Sequence, residues 1–167
     1  REIPELAGGS WARGRSVFFS KEANCSACHS VRGRGALIGP DLSNLVHRDY
    51  ASVVRDVTDP NFAVNPDYIS HVVVLKDGRV LTGTLKASGD DLLISDTNGK
   101  VTTIRRDDVD ESSPTSKSIM PDKLIEKLTP GQLTDLLTYL LIRPPHMPLD
   151  SPEPPPPVRS PPEVQSI

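Results

Sequence analysis

Cys25-Ser26-Ala27-Cys28-His29 uses both cysteines of a 167-residue chain, and its reading decides the fold. The pattern is C-x-x-C-H. Two thiols on one turn can each add to a vinyl group of the same porphyrin, giving two thioethers, and the next residue sets an imidazole under the iron. A structural zinc site calls for about four ligands, and the sequence has no second cysteine pair and no H-x-x-x-H. A thioredoxin-like redox pair is expected beside a βαβ pattern, which does not surround this one. One haem c, attached through Cys25 and Cys28 and ligated by His29, is therefore the leading reading. A redox disulfide and a metal clip stay as minor ones.

His29 calls for a ligand on the opposite face of the iron. The candidates are Met120, Met147, His47, His71 and His146. Met120 leads them: it lies in Ser118-Ile119-Met120-Pro121, shortly before a terminal amphipathic segment, and a thioether favours ferrous iron and raises the potential. Its other reading is an ordinary gap-filling core residue. Met147 repeats the Met-Pro dipeptide inside a proline-rich tail, where His146 is also a tail residue. His47 reads as a surface helix residue and His71 as a strand residue. Gly39-Pro40-Asp41-Leu42 follows His29 by about ten residues. The Pro40 carbonyl is able to hold the second ring nitrogen, although the spacing alone reads as a plain turn. Arg32 and Arg34 are candidates for the haem propionates, or solvated loop arginines.

The net charge of −3 argues against nucleic acid as a partner. Aromatics make up only 4% of the chain, and Trp11, Phe18 and Phe19 crowd just before the motif. The polypeptide core is thus modest, a buried porphyrin would add much apolar area, and the apoprotein is expected to fold poorly. No run approaches the roughly 18 apolar residues of a membrane span, and no signal peptide opens the chain. The start at Arg1 reads as a mature form or an excised segment.

Residues 10–19 read as a helix opened by Ser10, with Gly14 and Phe18 one turn apart on a common face. Tyr50, Val53, Val54 and Val57 give a short amphipathic helix ending near Asp59-Pro60. The period then changes to two. Tyr68 to Lys76 and Arg79 to Lys86 flank an Asp77-Gly78 turn, and Leu92 to Ser95 and Val101 to Ile104 flank Asn98-Gly99. This predicts a small antiparallel β meander of four or five short strands, or a small barrel. Thr129-Pro130-Gly131-Gln132 is a capping box with proline at the first helical position, opening a stripe of Leu133, Leu136, Leu137, Leu140 and Leu141. The expected class is α+β: a mainly helical core from residues 1–66 and 112–143, an inserted β module over 67–111, and an extended or disordered tail over 144–167, which holds 10 of the 17 prolines.

Taken together, the first helix with Gly14 and Phe18, the C-x-x-C-H motif, Gly39-Pro40-Asp41-Leu42, Met120-Pro121 and Leu136-Leu137-Thr138-Tyr139-Leu140 resemble the class I c-type cytochromes. The resemblance covers roughly 8–60 and 115–142. It implies that the Pro40 carbonyl accepts from the His29 ring, that Met120 is the distal ligand, and that Leu42 and Tyr139 line the pocket. The path from His29 to Met120 is longer than in the usual family. With its β module, the arrangement is similar to the haem-binding domain at the C-terminus of large secreted proteins of planctomycetes and verrucomicrobia, which commonly follows dehydrogenase-like propeller or helical-repeat domains. The features matched to that domain are Asp77-Gly78-Arg79, Gly83 and Ser118-Ile119-Met120-Pro121.

The function this implies is electron transfer by a low-spin His/Met haem, between a dehydrogenase-type donor and another carrier, in a periplasmic or otherwise extracytoplasmic bacterial setting and without catalysis. The motif itself also admits a haem enzyme or gas sensor, peroxidase-like or binding CO or NO, with an open sixth site. A third reading makes the haem a structural staple of a binding module. The oligomeric state is left open.

Overall fold

The computed structural model describes residues 2–144. Met147, His146 and the tail beyond Pro144 lie outside the described residues.

Three α-helices surround the C-x-x-C-H loop. The first, α1 (Trp11–Phe18), starts where the Ser10 hydroxyl accepts the Arg13 amide. The second, α2 (Tyr50–Thr58), is capped by the Asp49 carboxylate, which accepts from Ser52 N–H. The third, α3 (Pro130–Leu141), opens with the full Thr129–Gln132 capping box.

The fold of this half turns on the crossing of α1 and α3. Gly14 faces Asp135 and Tyr139, and a Cβ built on Gly14 would stand 1.8 Å from the Asp135 carbonyl oxygen and 2.8 Å from the Tyr139 Cβ. The two backbones therefore touch with no side chain between them. Val17 and Phe18 of α1 then reach Leu136, Tyr139 and Leu140 of α3, and each fully buried large apolar side chain there contributes roughly 1.5–3 kcal/mol. A second cluster behind α3 joins Leu137 and Leu141 to Val53 of α2 and to Leu6. Asp135 locks the crossing from outside: its carboxylate accepts from Ser10 N–H at 2.7 Å and from the Arg13 guanidinium at 2.7 and 2.9 Å.

Between α2 and α3 in the chain lies a five-stranded antiparallel sheet. After the small hairpin β1 (Ser30–Val31) and β2 (Arg34–Gly35), its strands are β3 (Ile69–Leu75), β4 (Val80–Ser88), β5 (Asp91–Ser95), β6 (Val101–Arg105) and β7 (Val109–Ser118). The spatial order is β6-β5-β4-β3-β7. Val73, Leu75, Ile94 and Ile104 form its own small core. The α+β class holds.

Two details of the sequence reading change. The sheet is neither a pure meander nor a closed barrel: β3 to β6 meander, but β7 returns to the free side of β3, leaving β6 and β7 as edges among the described residues. The boundary read at residue 111 falls inside β7, which pairs Ile69 with Ser118 and His71 with Pro114. The missed strand, Val-Asp-Glu-Ser-Ser-Pro-Thr-Ser-Lys-Ser, is almost wholly exposed, so it shows no apolar alternation. Its proline is tolerated because the strand lies at an edge.

Gly14→Ala tests the crossing. On an open helix surface alanine would stabilise by about 1 kcal/mol; here the backbone clash outweighs that gain, and a net loss of about 1–3 kcal/mol is expected from overpacking. A denaturant midpoint unchanged or raised in G14A would show that the helices do not meet there. Hydrogen bonding to Arg13 holds the Asp135 carboxyl below the ordinary carboxylate range. A depressed carboxylate pKa stabilises the fold above its unfolded value of about 3.9, and the contribution is lost as pH falls through the folded value. Asp135→Asn should therefore lower stability at neutral pH and flatten the acid side of the stability–pH curve.

Candidate haem-binding site

Asn24 takes a left-handed conformation (φ 51°) and turns the chain into a single 3₁₀ turn, Cys25–Ala27. The turn closes with Cys28 N–H donating to the Cys25 carbonyl at 3.2 Å, and His29 N–H donates to the same carbonyl at 2.9 Å. Both thiols are half-buried. The chain then reverses through Arg32 and Gly33, both at positive φ, as a two-residue hairpin with right-handed strand twist requires. The stretch 33–40 folds back over the motif, and Ile38 and Gly39 N–H both donate to the Cys28 carbonyl, at 3.0 and 2.8 Å.

This return brings two glycines against His29. At Gly35 (φ 114°) a Cβ would lie 2.1 Å from the His29 carbonyl oxygen; at Gly39 it would lie 2.6 Å from the ring atom Cε1 and 3.0 Å from Nδ1. The imidazole is thus packed face-on against a bare backbone. Its Nδ1–H donates to the Pro40 carbonyl at 2.9 Å, which leaves Nε2 with the lone pair. Burial pushes the His29 imidazole below its ordinary value, and the Pro40 carbonyl opposes that push. The ring is neutral near pH 7, the form that ligates a metal.

Cys25, Cys28, His29, Pro40, Leu42 and Met120 all line one cavity of about 650 Å³, within the range of cofactor pockets. Apolar walls come from Phe18, Leu45, Ile119, Leu128, Leu136 and Leu140. Met120 follows the end of β7 by two residues, so the sheet itself delivers the thioether to the cavity. The sheet also forms part of the wall through Thr84, Thr97 and Asn98. At the β5–β6 turn, Gly99 (φ 79°) comes so close to the motif that a Cβ there would stand 2.8 Å from the Ala27 carbonyl oxygen.

Other residues singled out in the sequence sit elsewhere. Tyr139, expected in the pocket lining, is fully buried behind it, edge-on to Trp11 with ring centroids 5.0 Å apart and tilted against Phe18 at 5.5 Å. Its place in the α1–α3 crossing takes it out of reach of the cavity. Arg32 lies over the Trp11 ring, and neither it nor Arg34 lines the cavity; the arginine that does is Arg48, paired with Asp56 at 2.7 Å. His47 is exposed and meets Arg143. His71 is half-buried on β3. Among the described residues, His29 and Met120 are the only histidine and methionine in the cavity wall, and no group of three or more His, Cys, Asp and Glu side chains is placed to hold a metal ion. The glycines facing His29 went unread as parts of the site; their crowding in Gly33-Arg34-Gly35 and Gly39 was the available signal.

Residues 11–58 match the Cytochrome c family model. That family binds covalently attached haem c through two cysteines, and Cys25 and Cys28 have the C-x-x-C spacing. The cofactor is haem c. The residues present fit it: two thiols on one turn, an imidazole with its tautomer set by Pro40, and an apolar cavity. The match supports a haem-binding electron-transfer domain of the c-type cytochrome kind, and it ends with α2, short of the sheet and of Met120. No curated protein matches the chain.

Gly39→Ala should displace the His29 ring while sparing the thiols. The expected result is full covalent haem on a denaturing gel together with a larger high-spin fraction in the visible spectrum. A spectrum identical to the parent would mean that the ring has room to spare.

Proposed function

We propose that the chain is a single-haem electron carrier in which His29 and Met120 would hold the haem iron. The observation that carries this reading is the convergence of both thiols, the His29 ring and Met120 on one apolar cavity, although Met120 lies ninety-one residues downstream of His29. When bound, haem c supplies a ferric–ferrous couple that passes one electron at a time. The chain's own residues do the rest. Cys25 and Cys28 hold the group covalently. Pro40 orients the imidazole and increases its basicity as a ligand. Met120 presents a soft thioether that favours the reduced state. Phe18, Leu42, Leu45, Leu136 and Leu140 exclude water from the walls.

Electron transfer of this kind requires no substrate. The donor in this proposal is a dehydrogenase-type protein and the acceptor another carrier, in an extracytoplasmic location where haem c is attached. No helix among the described residues is long and apolar enough to cross a membrane. In domain terms, residues 1–66 and the segment after β7 make the cytochrome core, and the sheet is a unit set into it, as in the planctomycete and verrucomicrobial domains that the sequence resembles.

Met120→Ala tests the proposal. The ferric thioether–iron charge-transfer band should vanish and the potential should fall on the order of a hundred millivolts, a modest part of the roughly 0.8 V spanned by axial ligation. A band that survives the substitution would assign the sixth site to another residue. A parent protein that is high-spin and binds CO readily would favour the gas-sensor or enzyme reading instead.

A further inference from the structure

We propose that Asn61 is a positioning residue for Met120, clamping the chain on either side of the thioether-bearing residue. The proposal rests on the reading of Met120 as an axial ligand. Asn61 stands just beyond α2, in Asp59-Pro60-Asn61-Phe62, where its own N–H donates to Asp59 Oδ1 at 3.3 Å and the next amide, Phe62 N–H, donates to the Asp59 carbonyl at 3.1 Å. Its carboxamide is used twice. Oδ1 accepts from Ser118 N–H at 2.9 Å, and Nδ2 donates to Asp122 Oδ1 at 2.7 Å. Ser118 passes the restraint on, its Oγ accepting from Met120 N–H at 3.0 Å. One side chain therefore ties the chain two residues before Met120 and two residues after it.

A carboxamide suits this task because it offers an acceptor and a donor on one short, planar group; a carboxylate has no donor and an aliphatic side chain has neither. The loop needs the tie. It has left the β3–β7 ladder at Ser118, it passes through Lys123 at φ 62°, and α3 begins only at Pro130. Methionine adds three rotatable bonds of its own. A ligand on so loose a mount would spend much of its iron affinity on ordering the loop, and a loop already ordered by Asn61 spends less. Ile119, buried beside Met120, anchors the same loop by packing, but packing alone does not set the height of the Met120 backbone over the cavity.

The experiment uses the holo-protein and four variants: Asn61→Ala, Asp122→Ala, the exchange Asn61→Asp with Asp122→Asn, and Met120→Ala. The readouts are the ferric charge-transfer band and the affinity for cyanide, which must displace the thioether. In Asn61→Ala the band should lose more than half its intensity, and cyanide affinity should rise about tenfold, the weight of one to two hydrogen bonds. Asp122→Ala removes one exposed bond and should move both readouts the same way by a smaller factor. In the exchange, the introduced carboxylate accepts from Ser118 N–H and from the introduced amide, and both readouts should return toward the parent. Band and affinity unchanged in Asn61→Ala and Asp122→Ala would overturn the proposal, as would failure of the exchange to restore them. If Met120→Ala abolishes the band while Asn61→Ala keeps it, the clamp alone is wrong; if Met120→Ala keeps the band, the ligand assignment beneath it is wrong.

Discussion

The His29 ring is held in a slot with no slack, and much of the molecule follows from that. One edge of the imidazole donates to the Pro40 carbonyl, and the backbone of Gly39 lies against the ring where a methyl group would not fit. The loop from Arg32 to Leu42 has to fold back tightly enough to reach both places, which is why Arg32, Gly33 and Gly35 all take positive φ on the way. The loop in turn needs a floor. The α1–α3 crossing provides it through Phe18, Leu136 and Leu140, which face the cavity from below and meet one another in a single cluster.

The sheet has a more direct relation to the site than an appended domain would. Its β5–β6 turn abuts Ala27 of the attachment motif, its residues Thr84, Thr97 and Asn98 form wall, and its last strand ends two residues before Met120. Deleting the sheet would remove part of the cavity wall as well as the strand that leads to Met120. The polar, nearly bare β7 fits that duty: an exposed edge strand rich in serine, aspartate and glutamate, interrupted by proline, discourages pairing with other chains while still hydrogen-bonding to β3.

What was legible in the sequence was chemistry and punctuation. Cys25 to His29 announces its cofactor because few other chemistries need that spacing. Ser10, Asp49 and the Thr129–Gln132 box announce helix starts, since an orphan N–H must find an acceptor. The apolar alternation of β3 to β6 was visible because one face of each strand is buried. β7 was not visible, because an edge strand buries little and alternates nothing. Tyr139 was misplaced for a different reason: a 3.6-residue stripe tells that a residue is buried, and it does not tell whether the neighbour is a cofactor or another helix. The arginines failed likewise. Arg32 and Arg34 are near the motif in sequence, but the hairpin turns Arg32 toward Trp11, and Arg48 reaches the cavity from another segment. The Pro40 acceptor and the glycine packing on His29 are tertiary facts, which spacing alone read as a plain turn.

The pairing of Ile69 with Ser118 means that the chain enters the sheet and leaves it at the same point. The path from His29 to Met120 is long on paper, yet about half of it is a closed excursion. The entropy this saves is small, about 0.6 kcal/mol for halving a loop. Its consequence is evolutionary: an excursion whose two ends meet can lengthen, shrink or be exchanged for another at that doorway, leaving the spacing between the two halves of the site as it was. A compact carrier and one bearing a sheet would then differ by what hangs from a single pair of neighbouring residues.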